Sequence, residues 1–192
     1  MANDLITLSE YKNYANISST NQDASIKNLI PQVSNLVKLI CRRTFNDFVD
    51  DYKVQIFKGG VNNRILLEET PVMQVASVEF SDNFGKTYSP LVEFDDYVVD
   101  VEASTIELLS YPYAEYFKTN AFRVSYTAGY EEIPVDLKLA VADLISYYIR
   151  NDSSIHSHKA IGSNTVQIEY ITNTSLPAHI RRVLDLHTAY YG

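Results

Sequence analysis

The stretch VSYTAGYEEIPVDLKLAV, Val124 to Val141, decides the fold, because the chain changes its period inside it. The run Phe122 to Tyr126 alternates like a strand. Gly129 lends its backbone freedom to a tight strand-to-helix turn, and Ile133-Pro134 opens a helix. Proline suits a first helical position, since its fixed φ is already right and its missing N–H is not needed there. Beyond it Leu137, Val141, Leu144, Ile145 and Tyr148 recur at helical spacing.

Working back toward the N-terminus, period two holds from Tyr52 to Tyr130. Tyr52 to Phe57, Arg64 to Leu67, Val72 to Phe80, Tyr97 to Val101 and Thr105 to Leu109 are short β-branched or aromatic runs. Gly59-Gly60, Asn62-Asn63, Ser81 to Gly85, Asp95-Asp96 and Tyr111-Pro112 punctuate them. Before this region the spacing is helical again. Thr7-Leu8-Ser9-Glu10 reads as a capping box opening a helix through Ala15. A second helix shows Ile26, Leu29, Ile30, Val33, Leu36, Val37, Ile40 and Cys41 on one face. Ser19, Thr20 or Asn21 is positioned to cap it, Pro31 to kink it, and Arg42-Arg43 to close it with favourable charge.

Toward the C-terminus, a polar loop runs from Asn151 to Ser163, and Val166, Ile168 and Tyr170 alternate as in a strand or hairpin. A last helix places Ile180, Val183, Leu184 and His187 on one side. The expected fold is α+β: a small helical bundle of N-terminal helices, a central helix and a C-terminal helix, with an inserted antiparallel β domain. The helical core comprises residues 1–46 and 131–192, and the β insertion residues 47–130.

A chain of 192 residues, 46% hydrophobic and 21% charged, can bury a core as one domain or one domain with an insertion. No apolar run approaches the ~20 residues that cross a bilayer, and Met1-Ala2-Asn3-Asp4 does not begin a signal peptide. A membrane protein is not expected. The single Cys41 forms no internal disulfide, and its place on the apolar helix face makes it a core residue rather than a nucleophile. Fifteen tyrosines against no tryptophan fit either subunit surfaces or a β-rich chain. The net charge of −8 is uneven: residues 45–110 hold thirteen acidic and four basic side chains. Such a surface repels phosphate backbones, so tight nucleic-acid binding is not expected.

The chemistry of an enzyme is missing. There is no G-x-S-x-G elbow, no phosphate-cradling glycine loop and no H-E-x-x-H. His156-Ser157-His158, with Asp152 near, lacks the further ligands of a metal site. Asp50-Asp51, Asp95-Asp96 and Glu131-Glu132 lack calcium-loop spacing and read as solvated turns and edges. No cofactor is expected. Arg181-Arg182 on the last helix fits an acidic partner better than a phosphate.

The order of segments resembles a known family. LITLSEYK (Leu5 to Lys12), LIPQVSNLV (Leu29 to Val37) and CRRTF (Cys41 to Phe45) resemble the opening of tailed-bacteriophage head–tail connector, or adaptor, proteins. PVMQVASV (Pro71 to Val78) is similar to that family's PV-x-x-V-x-S-V strand. YTAGY running into IPVDLKLA, with Gly129 and Pro134, matches its most recognisable feature, followed by IGSNTVQIEY (Ile161 to Tyr170) and a final L-P-x-x-I helix from Leu176. Pro31, where small helix formers are usual, and the long acidic β insertion depart from the pattern. The resemblance implies a ring, typically of twelve copies, beneath the portal vertex, through which genomic DNA passes without specific binding. It implies contacts with identical neighbours, the portal protein and the tail-side neck or stopper proteins, in a virion assembled in the host cytoplasm. Arg181, Arg182, Tyr190 and Tyr191 become candidates for the portal or neighbour contact, and the loop bearing His156, His158 and Lys159 for a further one. Two rival classes are a β-rich ligand- or carbohydrate-binding module, with Tyr88, Tyr97 and Tyr113 lining a groove, and a small hydrolase using His156 or His158.

Overall fold

The computed structural model describes residues 3–59, 63–109, 119–151 and 176–189. It is α+β and divides into two compact units: Met1–Asn3, Arg43–Ile133 and Ala189–Gly192 form one, Asp4–Arg42 and Pro134–Thr188 the other.

The first unit holds the strands. They are β1 (Phe48–Phe57), β2 (Arg64–Leu66), β3 (Val72–Phe80), β4 (Ser89–Pro90), β5 (Tyr97–Asp100), β6 (Thr105–Leu108) and β7 (Phe122–Ala128). β1-β7-β3-β4 make one antiparallel sheet and β2-β6-β5 a second. β7 is interior to its sheet, and its alternation is clean: Phe122, Val124, Tyr126 and Ala128 are buried, while Arg123, Ser125 and Thr127 are half-buried. Their apolar face joins Val72 and Val78 of β3 with Ile65, Leu67, Tyr97, Ile106 and Leu108 in one core. Register irregularities interrupt the pairing of β7 with β1 between Phe48 and Lys53, and with β3 between Val72 and Gln74 and between Val75 and Ser77. Such bulges bend a strand and increase its twist.

The second unit holds the helices α1 (Leu8–Ala15), α2 (Asp23–Cys41), α3 (Val135–Asn151) and α4 (Ala178–His187). The capping box at α1 is present: the Glu10 amide donates to Thr7 Oγ1 at 3.2 Å, and the Thr7 amide to Glu10 Oε2 at 2.8 Å. Ile26, Ile30, Val33, Val37 and Cys41 of α2 are buried, and so are Leu137, Val141, Leu144 and Ile145 of α3 and Ile180 and Leu184 of α4. Pro31 lies inside α2, which continues through it.

Three local expectations are corrected. The N-cap of α2 is Gln22, without a side-chain cap bond, and Ser19, Thr20 and Asn21 lie before it. The helix dipole is served there by Asp23, which pairs with Lys12 at 2.8 Å. Arg42 ends α2 in the left-handed region (φ 54°), which turns the chain so that Arg43 leaves the helix. α3 begins at Val135, so Pro134 precedes the first helical residue, although its carbonyl accepts the first helical bond from Lys138 N–H at 3.0 Å. Ser89–Pro90 is a strand too short to show any period in sequence. The alternating stretch at Val166 to Ile171 lies outside the described residues.

Candidate assembly site

Three of the sequence motifs meet at one seam of the β unit. After Arg42, the Arg43 side chain donates to the Thr70 carbonyl and stands 5.5 Å from the Phe45 ring and 5.8 Å from that of Tyr130. Thr44 gives both its amide and its hydroxyl to Glu69 Oε2, each at 3.1 Å, and Lys53 reaches Glu69 Oε1 at 3.4 Å. Glu69 is buried, so these donors replace the water its carboxylate has lost. Its own amide donates to Tyr126 Oη at 3.2 Å, and that hydroxyl donates to Gln55 Oε1 at 2.8 Å. Burial pushes the Tyr126 phenol well above its ordinary range, which keeps it a donor.

Gly129 closes the seam. Its amide donates to Pro71 O at 2.8 Å, and the next amide, of Tyr130, donates to Phe45 O at 2.7 Å. At φ +121°, a Cβ on residue 129 would land on the Phe45 carbonyl, so only glycine fits. The turn therefore does more than reverse direction. It fastens the CRRTF, PVM and YTAGY segments to one another.

Electrostatics differ between the units. The β unit carries sixteen acidic and seven basic residues, a net of −9, and the helical unit is +1. In the β unit, Arg123 donates to Glu79 through Nε at 2.5 Å and Nη2 at 2.9 Å, stands 4.3 Å from the Tyr88 ring, and lowers the Glu79 carboxyl. In the helical unit, Lys138 Nζ bonds Glu10 Oε1 at 2.6 Å; with the Thr7 amide it lowers the Glu10 pKa to about 2. His187 Nε2 lies 2.8 Å from Asp136 Oδ2 and holds that carboxyl below its usual range. Sequence spacing gave no sign of either pair, because each joins separate helices.

The predicted candidates fall into three groups. Gly129 and Pro134 stand at the end of β7 and before α3 as structural positions. Arg181 and Arg182 are exposed on α4. Tyr190, Tyr191, His156, His158 and Lys159 lie outside the described residues. Of the described tyrosines, Tyr11, Tyr97 and Tyr126 are buried, whereas Tyr14, Tyr52 and Tyr148 are exposed. Tyr97 is buried, which removes it from the three aromatics of a carbohydrate groove; Tyr88 is half-buried beside Arg123, and Tyr113 lies outside the described residues. Asp96 is half-buried and accepts the Val92 amide at 2.8 Å, so it is a built part of its turn and not a solvated edge.

Among the described residues no group of three His, Cys, Asp or Glu side chains could hold a metal, and no helix is long and apolar enough to cross a membrane. Cys41 is fully buried, its Sγ 3.6 Å from the Leu184 carbonyl. Exposed apolar side chains include Tyr52, Val54 and Ile56 on β1, Val92 and Phe94 before β5, and Leu39, Val135 and Leu186 on the helices. Sequence periodicity passed over Phe94 and Leu186, because it reports the buried face and neither belongs to one.

Known proteins give this surface a context. The family model described as head completion protein matches residues 4–190. No curated protein matches the chain. Among solved structures, the neck of an empty GTA particle computed with C6 symmetry is similar at a TM-score of 0.60 and 14% identity, covering 100% of this chain and 97% of that one. The neck of the native GTA particle computed with C12 symmetry gives 0.58 and 14%, again over 100% and 97%. The virion of the native gene transfer agent particle gives 0.59 and 12%, over 98% and 91%. At these identities the likeness is one of fold. The family match, by contrast, spans both units and bears out the resemblance carried by CRRTF, PVMQVASV and YTAGY: the chain belongs to the head completion protein family.

Proposed function

We propose that this chain is the subunit of a closed ring seated on the portal vertex of a tailed phage, where it extends the DNA channel and offers a platform to the tail or the next neck ring. The broader part rests on the family: the chain is a structural component of the head–tail neck of a virion and not an enzyme. In the finer reading twelve copies surround the passage and contact one another, the portal protein above and the neck or stopper proteins below. Assembly takes place in the host cytoplasm. Arg181, Arg182, Tyr190 and Tyr191 meet the portal or a neighbour, and the loop with His156, His158 and Lys159 makes a second contact. Genomic DNA passes without specific binding, and a β unit of net charge −9 favours passage because it does not trap phosphates.

The observation that carries this reading is a fold shared over the whole chain with chains of particle necks computed with six- and twelve-fold symmetry. A closed ring of identical subunits is heterologous, one face of each copy meeting a different face of the next. Exposed apolar side chains on both units supply such faces. The test is to purify the full chain alone and with its portal and weigh the complexes. Masses stepping up to a multi-copy ring on portal are expected. A chain that stays monomeric and never binds portal overturns the proposal.

A further inference from the structure

The turn leading into β5 is a hydrogen-bonded tip that holds apolar side chains out into water. Val92, Glu93, Phe94 and Asp95 are all exposed, Phe94 at 75%. Phe94 has φ +70°, a left-handed conformation that a bulky side chain adopts only under constraint. The constraint is visible in the bonds around it. The Phe94 amide donates to Tyr97 O at 2.7 Å, and the Asp96 amide to Val92 O at 2.8 Å. The Asp96 carboxylate accepts the Val92 amide at 2.8 Å, and the Asp96 carbonyl accepts the Leu109 amide at 2.8 Å. Tyr97, at the start of β5, is buried in the core. The tip is thus held by its own hydrogen bonds, with two acidic side chains beside an aromatic ring that is three-quarters exposed.

A second exposed face has the opposite character. On α4, Ile180 and Leu184 face inward, while Arg182 and Leu186, one turn apart, share the outer side, with Arg181 next to them. Leu186 is 76% exposed. The tip therefore pairs apolar groups with acid, whereas the α4 face pairs them with a net positive charge, Arg181 and Arg182 outweighing the exposed Asp185, and they lie in the acidic and the slightly basic unit respectively.

We propose that the tip Val92–Asp95 of one subunit docks on the Arg181, Arg182 and Leu186 face of α4 in the next copy. The inference rests on the ring reading and deepens it, because a heterologous ring requires two unlike, mutually complementary faces. Phe94 packs against Leu186 as the central anchor, and Glu93 and Asp95 meet the two guanidinium groups at the rim. Fixing the tip beforehand removes the ordering cost that a mobile loop would incur on binding. The rim charges make the contact salt-sensitive.

A charge exchange tests it, with assembly of the full chain weighed over a concentration series, alone and with portal. Glu93→Lys with Asp95→Lys, and separately Arg181→Glu with Arg182→Glu, are each expected to weaken assembly about tenfold or more, as loss of close charge pairs does. Combining all four is expected to recover it to within about threefold, because the pairs are remade with reversed sign. Phe94→Ser weakens assembly without touching a charge, and unchanged thermal melts show that it remains folded. A four-fold variant no better than its parents overturns the inference, and so does Phe94→Ser assembling like wild type. Tip variants that keep the ring but lose the portal also overturn it, by placing the tip on another virion protein. Rings that form normally in every variant sink this contact and leave the ring reading standing; a wild-type chain that never assembles sinks both.

Discussion

The helical unit and the β unit keep their shape in different ways. In the helical unit the decisive side chains are apolar and recur with the turn of the helix: Ile26, Ile30, Val33 and Val37 on α2, Leu137, Val141 and Leu144 on α3. Each contributes area, and neighbours of similar volume can stand in for it. In the β unit, positions are held one at a time. Glu69, Tyr126 and Gln55 share a buried polar chain, and Phe45, Phe84, Phe94, Ser104 and Asn120 all take left-handed backbone. A fold stabilised by area changes gradually under substitution. One fixed by particular bonds and backbone angles fails at particular residues.

That contrast sets the size of the expected effects. Gly129→Ala forces a methyl group onto the Phe45 carbonyl at φ +121° and should cost about 4 kcal/mol, as urea denaturation would record. Leu144→Ala, in the fully buried middle of α3, should cost about 3 kcal/mol, and Leu144→Met under about 1.5 kcal/mol. If Gly129→Ala proves milder than Leu144→Ala, the contrast between the units breaks.

Smaller effects sharpen it. The Glu10 pKa falls from 4.5 to about 2 on folding, through Lys138 and the Thr7 amide. A carboxyl lowered in this way stabilises fully above the unfolded value and loses that contribution as pH drops from about 4.5 toward 2. The pair is partly exposed, which limits its worth to about 1 kcal/mol. Glu10→Gln should therefore lower the urea midpoint at pH 6, lower it by less at pH 3, and leave it nearly unchanged only as pH approaches the folded value of about 2. At the bottom of the scale, Phe94→Gly should raise stability by up to about 1 kcal/mol, because glycine accepts φ +70° without strain and the ring it removes is exposed. A fall of that size would mean that Phe94 serves its own fold and not a partner.

The same contrast governs what the sequence reveals. The apolar stripes of α2 and α3 and the Thr7–Glu10 box are repeated local signals, and they were readable. Gly129 and Pro134 marked the change from strand to helix to within a residue, because both act through their own backbone. The expected capping of α2 by Ser19, Thr20 or Asn21 failed, since Gln22 and Asp23 lie nearer the first turn. Nothing local announces that Glu69 will bind Thr44, or that Lys138 will reach Glu10; such pairs exist only once distant segments meet. The candidate site divides along this line. Arg181 and Arg182 were legible as a charged pair on a helix, whereas Phe94 was not, because its exposure depends on a left-handed backbone that periodicity does not encode.

The most direct measurement is an averaged image of the particle neck with this polypeptide labelled. A closed circle of identical copies lying against the portal, with the label repeated around the axis, is the predicted result. A neck without the label, or a single labelled copy off the axis, contradicts the account.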